Sequence, residues 1–257
     1  MTTSNPAPDH RKNPIRLGVA LLALWRLARD NDDTSHVFEI VDALRGDSDV
    51  RNVERMRESE IGRAILTEHR SLLDVLANRE RLRTLPEGSL GRVYLAFMER
   101  EGLTADGLAT AADEGYQQRS NDPDVVTFGD LARDSHDLWH VLTGYGRDPL
   151  GELCLLGVLY SQIRTAGTAF IALLGLFQVP FEYPGAPSIR AVIQGFWIGH
   201  RAEWMIAQDW EALLALPIDE VRAKLRLERP TYYLQSAPLH DAARSRSRAA
   251  AAQAVAA

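Results

Sequence analysis

Apolar residues in this chain recur three and four positions apart rather than two, and that periodicity limits the fold more than any other feature. Val37, Ile40, Val41 and Leu44 form one run, Leu72, Leu73, Val75 and Leu76 a second, and Leu90, Val93, Tyr94, Phe97 and Met98 a third. At 3.6 residues per turn such spacing gathers side chains on one helical face, whereas a half-buried strand needs strict alternation. Sustained alternation is absent and β-branched runs are rare. No Gly-rich phosphate loop follows a candidate strand, which argues against a dinucleotide-binding sheet. The expected fold class is all-α, a single-domain multi-helix bundle.

Punctuation agrees with helices. Pro86, Gly88 and Ser89 precede one, Pro180, Pro184 and Pro187 separate two others, and Pro217 and Pro230 bracket a last one. Residues 1–14 are rich in Pro, Asn, Thr and charge, and 236–257 form an Ala/Arg/Ser-rich tail; both read as mobile ends. One helical domain over 15–235 is the economical division of the remainder.

Two apolar stretches resemble membrane elements. The first, Ile15 to Ala28, follows His10, Arg11 and Lys12, but its apolar centre is short and lacks a small-residue cleavage site. The second, Thr165 to Val179, is uncharged for 15 residues yet is bounded by Arg164 and Pro180, short of the roughly 20 residues a span requires. It is expected to be a buried helix. The 29 Lys and Arg against 35 Asp and Glu leave a formal charge of -6, which argues against nucleic acid as a partner held by phosphate contacts. Cys154 is the sole cysteine, so neither an intrachain disulfide nor a cysteine-based zinc cluster can form.

The segment with chemical content runs from Ser135 to Glu152. His136 and His140 are four residues apart, about 40° apart on a helical wheel and one turn above each other, so two imidazoles can share one metal ion. Asp137 flanks the pair and could ligate directly, orient a histidine or act as a general base. Gly144 suits the residue that ends this helix, while Asp148 as N-cap and Pro149 as first helical residue suit the start of the next. The resulting helical hairpin brings Glu152 to the height of His140, so a carboxylate from the opposing helix can complete the site. Such nitrogen and oxygen ligands suit Zn²⁺, Fe²⁺, Mn²⁺ or Co²⁺ without choosing among them. The alternative is that these are ordinary helix residues.

These residues resemble the coenzyme Q (ubiquinone) biosynthesis proteins named for the fourth Coq protein, whose hallmark is His-Asp-x-x-His, eleven residues, then Glu. His136, Asp137, His140 and Glu152 complete that pattern. Similarity continues upstream through Met56, Gly62, Ile65-Leu66, Leu85-Pro86, Gly88-Ser89-Leu90-Gly91, Tyr94 and Phe97-Met98. Downstream it includes Gly199, Ala202, Asp209-Trp210-Glu211 and Val221-Arg222, covering about residues 40 to 230. The resemblance implies an all-helical protein, those four residues as metal ligands, and zinc as the first candidate ion. It also implies peripheral association with the membrane where quinones are made, and partnership with other quinone-biosynthesis proteins. For activity, it implies either a lyase-type decarboxylase that replaces the C1 carboxylate of a polyprenylated 4-hydroxybenzoate with a hydroxyl, or a non-catalytic scaffold that binds prenyl lipid. One departure stands out: relatives often carry a Gly-Arg-Asn-Ala-Lys type segment where this chain reads Gly199-His200-Arg201-Ala202-Glu203, with less positive charge.

On this reading a polyprenylated aromatic lipid is the substrate. The apolar segments 153–179 and 189–206, with Gly157, Ala166, Gly167, Ala169, Gly175, Gly195 and Gly199, are expected to leave room for its tail, although the same small residues also suit close helix packing. Arg147 and Arg164 are candidates to hold a carboxylate or phosphate, the alternative being ordinary solvated or paired arginines. The helix over 15–29 sets Leu17, Leu21, Leu24, Trp25 and Ala28 beside Arg16, Arg26 and Arg29. That composition suits an anionic membrane surface, packing on its own domain, or a homodimer contact. The expected location is cytoplasmic, against the inner face of a membrane. A metal phosphohydrolase is the remaining alternative, because adjacent His-Asp on a helix also serves that chemistry.

Overall fold

The computed structural model describes residues 14–27, 35–105 and 122–236. Almost all of the two expected mobile ends lies outside these residues, as do Ala28 and Arg29. Among the described residues there are fifteen α-helices and no strand. In chain order they are Leu17–Leu27 (α1), Ser35–Ala43 (α2), Ser48–Glu58 (α3), Glu60–Glu68 (α4), Leu72–Ala77 (α5), Arg79–Thr84 (α6), Leu90–Glu101 (α7), Pro123–Asp134 (α8), His136–Thr143 (α9), Pro149–Ile163 (α10), Ala166–Glu182 (α11), Ser188–Arg201 (α12), Trp210–Leu214 (α13), Ile218–Lys224 (α14) and Thr231–Gln235 (α15).

Local sequence explains many of the boundaries. The side chains of Ser59, Ser71, Asn78, Ser89, Asp122, Asp148, Thr165 and Asp209 each accept a backbone N–H from the first turn of the helix they open. Such caps satisfy donors that the helix itself leaves unpaired. Gly102 and Gly144 close α7 and α9 in the left-handed conformation, with φ of 68° and 78°.

Apolar burial falls into two clusters. The larger extends from α3 to α15 and includes Met56, Leu82, Leu90, Tyr94, Phe128, Leu138, Trp139, Leu142, Cys154 and Val158. The smaller joins Ala20 and Ala23 of α1 to Ile40, Ala43 and the following Leu44, with Phe170 and Ile171 of α11 packed against it. An Arg16–Asp42 ion pair at 2.6 Å fastens α1 to α2.

Helix α10 lies at the centre of the larger cluster and packs most extensively against α12. The two backbones approach through glycine: a Cβ at Gly195 would lie 2.4 Å from the Cys154 carbonyl oxygen, and one at Gly199 2.7 Å from that of Val158. Gly157 faces the Val192 carbonyl and the Phe196 amide in the same way, and a Cβ at Gly167 would lie 2.6 Å from the Val41 Cα. Gly175 is covered by the Leu153 side chain. The expectation that these glycines open a tail groove is therefore corrected: neighbouring helices occupy the space they leave.

The stretch expected to be a buried helix also differs. In α11 only Gly167, Thr168 and Val179 are buried, while Phe177 is 69% and Phe181 86% exposed. Pro180 does not stop the helix. It sits inside the last turns, and the Tyr183 N–H closes the end on the Val179 carbonyl. Lacking an N–H, Pro180 forgoes its own intrahelical bond there.

Candidate metal centre

Ser135 alone separates α8 from α9, ending one helix and opening the other at φ -78° and ψ -8°. His136, Asp137 and His140 follow directly. Gly144 ends α9 on the His140 carbonyl, and Asp148 caps α10 by accepting the Gly151 N–H with Pro149 at its first turn. The hairpin therefore has the turn chemistry expected from its sequence.

The structure brings the four residues together. His140 Nε2 lies 3.3 Å and His136 Nε2 3.6 Å from Glu152 Oε2. His136 Nδ1 is 3.4 Å from Asp137 Oδ1. The two imidazoles meet edge to face with centroids 4.8 Å apart, and potential ligand atoms of His136, Asp137 and His140 all lie within 4.8 Å of one another. Phe97 of α7 stacks against the His140 ring at 6.1 Å.

Protonation can be read from the partners. His140 Nδ1 is 3.1 Å from the Tyr145 carbonyl oxygen, which can only accept, so Nδ1 carries the proton and donates. The buried Nε2 has no hydrogen-bond partner of normal geometry and faces a Glu152 carboxylate oxygen at 3.3 Å. Two electron-rich atoms at that distance require a cation between them, either a proton or a metal ion. The donor set and this orphaned nitrogen fit a divalent metal.

Burial would push both carboxyls up, but the His136 hydrogen bond and the charges of His136, His140 and Arg147 hold Asp137 below the ordinary carboxylate range. Glu152 is likewise held low: the close approach and charge of His140, then the charges of His136 and Arg147, outweigh its desolvation. Glu152 also occupies the first turn of α10, where the helix dipole favours negative charge.

Of the two arginines singled out from sequence, one is at the centre. Arg147 Nε stands 3.9 Å from Glu152 Oε1. Arg164 ends α10 in the left-handed conformation, twelve residues beyond Glu152 in an unbroken helix and hence about 18 Å along its axis. It does not reach the centre. The atypical Gly199–Glu203 segment is also at that far end: the Gln162 side chain bonds the Gly199 carbonyl, Arg201 pairs with Glu228 and Glu203 with Arg226.

Sequence reasoning missed the supports. Arg222 of α14 donates to the carbonyls of Leu142 at 2.9 Å and Val141 at 3.1 Å, capping the C-terminal end of α9. The Tyr233 hydroxyl donates to Asp148 Oδ2 at 2.5 Å and accepts the Gly146 N–H at 2.9 Å. The pair Val221-Arg222 was visible within the resemblance, but without a role. Tyr233 carried no signal.

Fold and site together define an all-helical protein with a histidine and carboxylate centre on a helical hairpin. More particularly, the chain belongs to the coenzyme Q (ubiquinone) biosynthesis protein Coq4 family, whose model matches residues 14–231. Two similar proteins are the mitochondrial ubiquinone biosynthesis proteins coq4 of Penicillium rubens and COQ4 of Yarrowia lipolytica. The former is 28% identical over 179 residues, 69% of this chain and 60% of that protein. The latter is 28% identical over 185 residues, 69% of this chain and 65% of that protein. The chain thus spans somewhat under two thirds of the length of these relatives. A crystal structure from Nostoc punctiforme has a similar fold, with a TM-score of 0.58 at 24% identity over 82% of this chain and 98% of that one.

Proposed function

We propose that this chain acts in ubiquinone biosynthesis as a metal-dependent enzyme that exchanges the C1 carboxylate of a polyprenylated 4-hydroxybenzoate-type precursor for a hydroxyl. The observation that carries this reading is the convergence of His136, Asp137 and His140, with Glu152 Oε2 against both imidazoles, around an orphaned buried nitrogen. A divalent ion held there, with Zn²⁺ first and Fe²⁺, Mn²⁺ or Co²⁺ as alternatives, would supply Lewis acidity at the oxygen of the aromatic head. Arg147, partly exposed beside Glu152, offers a guanidinium to the substrate carboxylate. Asp137, kept ionised and in contact with His136, would take a proton from the phenol where it is not itself a ligand. The exchange is a two-electron oxidation in which the C1–carboxylate bond breaks, CO₂ leaves and a C1–O bond forms; with O₂ as the oxidant it balances when water supplies the hydroxyl and O₂ is reduced to H₂O₂.

Peripheral contact with the inner face of a membrane belongs to the same proposal. Leu17, Leu21 and Trp25 of α1, Leu173, Phe177 and Phe181 of α11, and Ile189, Ile193 and Trp197 of α12 are exposed, each set spaced by four residues. Apolar stripes of this kind suit insertion at a lipid interface. No helix among the described residues is long and apolar enough to cross a membrane.

The same stripes favour a second reading, a non-catalytic prenyl-lipid-binding scaffold that gathers other quinone-biosynthesis proteins. Metal analysis by mass spectrometry on wild type, His140→Ala and Glu152→Ala tests the metal-dependent reading first. A stoichiometric ion lost in both folded variants is expected, together with loss of turnover of prenylated hydroxybenzoate under O₂. A wild type that takes up none of the four ions on refolding overturns the enzyme proposal. Variants that lose complex assembly while turnover is absent even in wild type would leave the scaffold.

A further inference from the structure

The turn between the two ligand-bearing helices sets both halves of the centre. His140 donates to the Tyr145 carbonyl, and Glu152 follows Asp148 by one helical turn with its N–H on the Asp148 carbonyl at 2.9 Å. Asp148 is only 4% exposed, and three donors converge on its carboxylate. The Tyr233 hydroxyl reaches Oδ2 at 2.5 Å, while the Gly151 N–H at 3.1 Å and the Tyr183 hydroxyl at 3.4 Å reach Oδ1. Tyr233 also accepts the Gly146 N–H, and its ring meets that of Tyr145 edge to face with centroids 5.2 Å apart. One side chain from α15 thus touches Tyr145, Gly146 and Asp148.

We propose that Tyr233 is a positioning residue for the metal centre: its hydroxyl, donating to Asp148 and accepting from Gly146, holds the 144–148 turn so that the Tyr145 carbonyl stays on His140 and Glu152 stays against both histidines. The proposal rests on the reading of this site as a metal centre. Without the hydroxyl, a buried carboxylate keeps Gly151 and Tyr183 but loses its shortest donor, and the part-buried Gly146 N–H loses its acceptor, so both favour a rearranged turn. The turn has the freedom to rearrange in response, because it contains Gly144 and Gly146. The rearrangement reaches the ligands directly: a Cβ at Gly151 would lie 2.0 Å from the Gly146 carbonyl oxygen, so the turn and the first turn of α10 are in contact.

Tyr233→Phe separates positioning from packing because it keeps the ring and removes only the hydroxyl. The readouts are Zn²⁺ affinity by competition with a chromophoric chelator, the absorption spectrum of the Co²⁺-loaded protein, and the nitrogen resonances of the His140 imidazole in metal-free protein. Expected are a loss of affinity of about 10- to 100-fold, as for other groups that orient ligands, an altered Co²⁺ spectrum, and weakening of the Nδ1–H signature of His140. Tyr183→Phe, on the longer bond to the same carboxylate, is expected to stay close to wild type. Asp148→Asn, which keeps an oxygen but removes the charge, is expected to fall between them, and it serves as the test should Tyr233→Phe not fold.

Wild-type affinity, Co²⁺ spectrum and imidazole resonances in Tyr233→Phe, even with a lower melting temperature, would overturn the proposal and leave a packing role. If wild-type protein binds no metal, it is the metal-centre reading that fails, and the imidazole resonances still decide the clasp. An unchanged His140 signature in the variant overturns it, and a weakened one supports it.

Discussion

Helices α10 and α11 follow one another in the chain and are both predominantly apolar, each with several Leu, two Gly and one Val and few polar groups, yet their burial is very different. Ten residues of α10 are buried, against three of α11. The difference lies in their neighbours. Helix α10 receives α12 at backbone contact through Gly157, Gly195 and Gly199, and α11 covers another of its sides, with Gly175 against Leu153. Helix α11 meets α2 at its first turn through Gly167, but the outward side of its second half carries Leu173, Phe177 and Phe181 into solvent. Apolar composition sets how much a helix gains by leaving water, and the placement of glycine on its neighbours decides whether it does.

The sharpest way to break this comparison is to enlarge the α10–α12 contact. Gly195→Val places carbon within the radius of the Cys154 carbonyl oxygen, and a loss of about 3 kcal/mol or more in denaturant unfolding is expected from overpacking against backbone. A loss below about 1 kcal/mol would mean that the two helices separate freely and that glycine does not govern their burial. Next in size is Arg222→Met, which keeps the aliphatic stem but removes two bonds to the end of α9. We expect a loss of about 1–3 kcal/mol by the same measurement.

Acid comes third, because the first turn of α10 carries an ionised carboxylate near the histidines and the first turn of α11 carries none. Asp137 and Glu152 are held below their ordinary range when folded, so their contribution is present above about pH 4 and is lost as pH falls through their folded values. In metal-free protein, Asp137→Asn with Glu152→Gln is expected to flatten that part of the stability profile; an unchanged slope would contradict the electrostatics of the site. The smallest effect belongs to α11. Phe177→Ser with Phe181→Ser should change unfolding free energy by no more than about 0.5 kcal/mol per site, while flotation with anionic vesicles falls. A large loss of stability instead would place these rings in a contact that the described residues do not contain.

The local part of the site was legible before the structure. Gly144, Asp148 and Pro149 each have a single residue-level reason to end or start a helix, and together they specify the hairpin that brings His136 and His140 to Glu152. What required the fold was everything held by distant partners. Arg164 looked close in sequence, but α10 runs unbroken between it and the centre. The glycines of α10, α11 and α12 read equally well as open space or tight contact, because sequence carries no information on what faces them. Arg222 and Tyr233 act through hydrogen bonds spanning 80 to 87 residues, which leave no periodic trace.

That span bears on how the protein is made. The four site residues lie within 17 consecutive positions, so the ribosome releases them together. Arg222 and Tyr233, which cap α9 and fasten the turn, follow Glu152 by 70 and 81 residues. During synthesis there is an interval in which the histidines and carboxylates are outside the ribosome with neither support in place. Contacts of such separation form late in folding because the intervening loop must first be closed. A nascent chain arrested before Arg222 therefore carries every site residue but lacks both of these supports, and completion of the centre waits on the synthesis of Tyr233.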